Sequence, residues 1–79
     1  MSRYTVLLYP AELGGYVAHI PAFDVATDGE TVEHALAMAR EAAELHIRGM
    51  IEDGEPVIEE ETPPIVASIE VGIPVPATA

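Results

Sequence analysis

The sequence predicts a small two-layer α+β domain of order β-β-β-α-β, with one long helix on a three- to four-stranded, mainly antiparallel sheet. Short β-branched and aromatic runs, punctuated by Pro and Gly, fill the chain up to Gly29. An apolar stripe at three- and four-residue spacing follows from Val32 to Met50. An alternating run from Ile65 to Val71 comes after it. One helix covers one face of such a sheet and leaves the other bare.

Tyr4–Tyr9 reads as the first strand. Tyr4, Val6 and Leu8 share one face and Thr5, Leu7 and Tyr9 the other. Both faces carry bulk, which suits an inner strand or one that meets a partner. Pro10 ends the strand by removing a backbone donor. Gly14-Gly15 supplies the freedom for a return, so Tyr16–Ile20 completes a hairpin with a loop of about six residues. Pro21 closes it, and a short third strand is expected over Val25–Thr27, turning at Asp28-Gly29.

Thr31 is a good N-cap, and Glu33 lies in the first turn, where the helix dipole favours negative charge. Val32, Ala35, Leu36, Ala39, Ala43, Ile47 and Met50 form the buried stripe, its alanines letting the helix axis sit close to the sheet. Arg40–Glu44, Glu44–Arg48 and Arg48–Glu52 are spaced as ion pairs, each worth a few tenths of a kcal/mol. Met38, Ala42 and Leu45 form a second apolar line. Gly54 is the C-terminal stop, which gives a helix of about 20 residues and close to 30 Å. After a linker with Glu59-Glu60-Glu61 and Pro63-Pro64, residues Ile65, Ala67, Ile69 and Val71 alternate with Val66, Ser68 and Glu70 as a half-buried fourth strand. The domain is expected over residues 1–72, with 73–79, which hold Pro74 and Pro76, as an extended or disordered tail.

The charge excludes several classes of function. Fourteen acids face three strong bases, for a formal net charge of −11 over 79 residues. Arg3, Arg40 and Arg48 make no basic footprint, so direct nucleic-acid binding by this chain is not expected, nor is binding to an anionic membrane. A basic protein partner is the natural electrostatic match. The chain has no cysteine, hence no disulfide, thiol nucleophile or cysteine-rich zinc site. The N-terminus lacks the apolar stretch of a signal peptide, and no run approaches the roughly 20 apolar residues of a membrane span, so a cytoplasmic location is expected. A core this small supplies only about 3–5 kcal/mol, which makes a homo-oligomer, dimer or tetramer, part of the expectation.

The order of these pieces resembles the N-terminal domain of the HicB antitoxin family. The likeness runs from Tyr4 to about Glu55. It covers Tyr9-Pro10, Gly14-Gly15-Tyr16-Val17-Ala18 and Ile20-Pro21-Ala22-Phe23. It continues with Thr27-Asp28-Gly29-Glu30-Thr31 opening a helix, the alanine-rich Glu33 to Glu44, and Gly54-Glu55-Pro56. The resemblance implies a partial ribonuclease H-like fold without its activity, in a type II antitoxin that binds and neutralises HicA, a small basic mRNA-cleaving ribonuclease. Full-length members usually add a C-terminal operator-binding domain. The residues after Val71 are too few and too proline-rich for one, so the expectation is a solitary short form.

No catalytic, cofactor-binding or metal-ligating residue is expected. Asp24, Asp28 and Glu30 are explained by turn chemistry. His19, His34 and His46 lack metal-ligand spacing, Thr31 is a cap, and Gly14-Gly15 alone makes no phosphate loop. The chain is therefore expected to be an interaction protein and not an enzyme. Glu33, Glu41, Glu44 and Glu52, on the outer helix face, are the expected toxin interface. Leu7 and Tyr9 on the bare sheet face (with Thr5, Val17 and His19), and Met38 and Leu45 on the helix, are the expected self-association residues. The alternative is an orphan oligomeric module with another partner.

Overall fold

The computed structural model describes residues 2–76. Three strands and one helix follow one another: β1 (Leu7–Pro10), β2 (Tyr16–Ile20), β3 (Val25–Gly29) and α1 (Val32–Glu52). The sheet is antiparallel, in chain order β1-β2-β3. Leu8 pairs with Ala18 and Ala18 with Thr27, on the face that α1 covers; Leu7, His19 and Ala26 line up on the other. The helix packs over β3 and β2 and leaves the β1 side of the sheet less covered.

Among the described residues the core is entirely apolar: Ala18, Ile20, Phe23, Ala35, Ala39 and Met50. Tyr4, Val6, Leu8, Val25, Ala43 and Ile47 pack around it. Ala18, Ala35 and Ala39 are the most deeply buried members with Ile20, so the centre of the core is made largely of small side chains. Val32 and Leu36, expected in the buried stripe, remain exposed on the edge of that contact.

Both helix ends are capped by local sequence. The Thr31 hydroxyl accepts the His34 N–H at 3.0 Å, and His34 Nδ1 accepts the Glu30 N–H at 3.1 Å. His34 thus does the work of the Glu or Gln of a capping box, one residue further out. At the other end Gly54 takes φ 73°. Its N–H reaches the Ile51 carbonyl at 3.1 Å while that of Glu55 reaches Met50 at 2.9 Å, the two bonds of a Schellman motif.

Three expectations are corrected. The β1 ladder starts at Leu7 rather than Tyr4, because β2 ends at Ile20 and Pro21 offers no further pairing; Tyr4–Val6 run on past the end of β2. β3 extends through Asp28 and Gly29, which pair with Val17 and Tyr16, so the turn into the helix falls at Glu30 and Thr31. Ile65–Val71 forms no strand: its side chains are exposed and no strand of the same chain pairs with it. The chain from Glu61 to Pro76 is an extended arm. It gives the molecule extents of 62 × 28 × 20 Å and a radius of gyration of 17.2 Å, against about 12 Å for a compact chain of this length. Of the expected tail, Ala77–Ala79 lies outside the described residues.

Gly29 is needed for a reason the turn argument misses. A Cβ there would lie 2.4 Å from the Ala35 nitrogen and 2.7 Å from its Cα. The end of β3 and the first turn of α1 touch backbone to backbone.

Candidate functional site

With the helix displaced toward β3, a groove opens between α1 and the segment Ser2–Val6 that leads into β1. It holds about 810 Å³. Tyr4, Val6 and Ile20 form its sheet wall and Leu36, Ala39, Ala43 and Ile47 its helix wall, with Arg3, Arg40, Glu44 and Glu60 at the rim. Two of the three strong bases of the chain thus stand at one opening.

The root of the arm is clasped beside this groove. The Glu60 carboxylate accepts the Thr5 N–H at 3.0 and 3.1 Å and the Thr5 hydroxyl at 2.7 Å. The Tyr4 hydroxyl donates to the Ile58 carbonyl at 2.7 Å, and the Ser2 hydroxyl to Glu59 at 2.9 Å. The Tyr4 ring packs on Phe23 with centroids 4.8 Å apart, and Phe23 on His46 at 4.9 Å. This aromatic row ties the segment before β1, the β2–β3 turn and the helix together, and the Tyr4 hydroxyl reaches the root of the arm.

The expected acidic interface residues Glu33, Glu41, Glu44 and Glu52 are all exposed on α1. Glu44 also lines the groove, next to Arg40. The expected Arg–Glu pairs along the helix do not form; among the described residues no arginine is paired with a carboxylate, and the one His–carboxylate contact is His19–Asp24, at 3.1 Å. Exposed pairs gain little in water and cost side-chain freedom, which leaves the helix carboxylates unpaired.

Of the expected self-association residues, Tyr9 is 51% exposed and Leu45 63%, while Leu7 and Met38 are half-buried. Leu7 and Tyr9 lie on the sheet face away from the helix, where they pair with His19 and Val17. The structure does not join them to Met38 and Leu45, which belong to the opposite layer.

The carboxylates close in sequence are not gathered either. Asp24 closes the β2–β3 turn with φ 52°, and Asp28 sits four residues along β3, roughly 13 Å away at strand rise. Among the described residues no cluster of three His, Asp or Glu side chains is placed to hold a metal ion. His19 binds Asp24, whose side chain is 95% exposed, and His34 is taken up in the helix cap.

Sequence reasoning missed Glu60 and the groove. Glu60 stands in a run of three glutamates, which reads as solvated charge, and its partner Thr5 is 55 positions away. The grouping of Arg3 with Arg40 likewise exists only in the fold. No family model matches this chain, and no curated protein does either. No described helix is long and apolar enough to cross a membrane.

Proposed function

We propose that this chain is a HicB-like antitoxin domain that binds and neutralises a small basic toxin ribonuclease of the HicA kind, in the cytoplasm. The observation that carries this reading is the exposed acidic row Glu33, Glu41, Glu44 and Glu52, free of ion pairs, on a chain of net charge −11. Complementary charge steers a basic partner and rejects an acidic one. The order of motifs from Tyr4 to Glu55 names the toxin class. In this reading the domain acts by occlusion and is not an enzyme.

The test is expression of the neighbouring reading frame, alone and with this chain. A short basic product that arrests growth alone, and is captured and silenced by this chain, is the expected result. Capture should weaken steeply with salt and with Glu41→Lys plus Glu52→Lys. A neighbour that is not basic, or not toxic, sinks the proposal.

A second reading, an orphan oligomeric module, is favoured by the exposed apolar residues on the arm and helix, Leu45 and Ile69 among them. It predicts a stable homo-oligomer and no toxin.

A further inference from the structure

The arm and the groove are the two unsatisfied features of the protomer, and they are complementary. From Ile65 to Val75 the arm carries Ile65, Val66, Ile69, Val71, Ile73 and Val75, all exposed, with Ile65 at 92%, Ile69 at 85% and Val75 at 89%. A contiguous apolar segment of this kind marks an interaction site. Its composition is that of a strand: Ile65, Ala67, Ile69 and Val71 alternate onto one side.

The groove is shaped for such a segment. It follows α1 from Leu36 to Ile47, roughly 17 Å at helical rise, and the extended stretch Ile65–Val71 spans roughly 20 Å. One wall is Tyr4 and Val6, in the segment that leads into β1, and β1 is an edge of the sheet. Among the described residues no backbone group pairs along that outer edge, and the Thr5 N–H takes a side-chain carboxylate instead. The arm beyond Glu61 carries a single charged residue, Glu70, and so brings little charge to a rim where Arg3 and Arg40 stand with Glu44 and Glu60.

The arm is led away from its own groove. Glu60 is clasped to Thr5 at the mouth, and Pro63 lines the groove without an N–H to offer the edge. Pro64 follows and restricts the backbone to extended forms, so the apolar stretch leaves the domain.

We infer that residues Ile65–Val71 of one copy add as a strand along Tyr4–Val6 and the free edge of β1 that follows it in a second copy, with Ile65, Ala67, Ile69 and Val71 seated in its groove. The exchange is reciprocal: each protomer gives an arm and receives one. The alternation read in the sequence as a fourth strand is then real, and its partner belongs to another molecule. This inference does not depend on the existence of a toxin, because the occupant of the groove is the chain itself.

The experiment measures the mass of the full chain by light scattering over a dilution series. The wild type is expected at twice the 8.4 kDa protomer. Ile69→Asp should weaken the dimer at least about a hundredfold with the helical circular dichroism unchanged, since Ile69 touches no core residue of its own protomer. Leu36→Asp, on the groove wall, should do the same. Mixing the two variants should restore a dimer, because the intact arm of one meets the intact groove of the other. A monomeric wild type, a dimer indifferent to either variant, or variants that do not complement one another would each overturn the inference. A monomer whose arm amides are protected from exchange would show that the arm docks on its own sheet, and would overturn it too.

Discussion

Replacing Gly29 and Gly49 by alanine, one at a time, should move stability in opposite directions. At Gly29 the new Cβ meets the Ala35 nitrogen at 2.4 Å and the His34 carbonyl carbon at 2.7 Å. These are backbone atoms of the first helical turn and cannot rotate away. To reach ordinary contact at 3.4 Å the start of α1 must back off by about 1 Å. That movement strains the Thr31 cap and loosens Ala35 over Ala18. Overpacking of this kind costs about 1–3 kcal/mol, and a weakened cap up to about 1 more. The sum rivals the roughly 3–5 kcal/mol that a core of this size supplies. At Gly49 a Cβ meets nothing within 4 Å, and the position is helical. Alanine there should stabilise by about 0.5–1 kcal/mol, because the unfolded chain loses freedom. The assay is urea unfolding followed by far-UV circular dichroism at one fixed protein concentration. With a slope of about 1 kcal/mol per molar urea, Gly29→Ala should lower the midpoint by about 1–4 M and Gly49→Ala raise it by about 0.5–1 M. A Gly29→Ala midpoint equal to that of the wild type would refute the claim that strand and helix meet through backbone at this point.

Three further outcomes follow from contacts described above. Thr31→Ala should cost about 1 kcal/mol, read as a fall in melting temperature of roughly 4–8 °C, while Thr31→Ser keeps the cap and the temperature. Ala35→Leu should destabilise by about 1–3 kcal/mol in urea titration, since Ala35 is fully buried where the helix meets the end of β3 and has no room for a larger side chain. Glu60→Ala should raise amide exchange at Thr5 and cost about 1 kcal/mol, below the 1.5–3 typical of charged hydrogen bonds because the site is only half-buried.

What the sequence could reveal was decided by how local each cause is. The helix was legible because Thr31, the stripe through Ala35, Ala39 and Ala43, and Gly54 all act within a few residues of one another. The hairpin was legible for the same reason. The end of β3 was not: Asp28-Gly29 is common turn chemistry, and only the approach of Ala35 shows why the glycine belongs to a strand. His34 at the third helical position stood in the place of a capping-box residue and could have been read as one. The Glu60 clasp was out of reach, since nothing in a run of glutamates points to Thr5. The alternation of Ile65–Val71 was visible, but pattern alone cannot say which molecule supplies the neighbouring strand.

The sheet order β1-β2-β3 repeats the order of the chain, and the helix follows directly onto the strand it packs against most. No crossover and no distant pairing has to be found before the core can close. Such neighbour-to-neighbour pairing favours folding faster than in all-β domains, and during synthesis the whole of it precedes the arm. Each protomer is therefore expected to collapse in a fast phase that ignores concentration. Arm exchange then follows as a separate, slower and concentration-dependent phase, so that refolding traces taken at several dilutions should split in two.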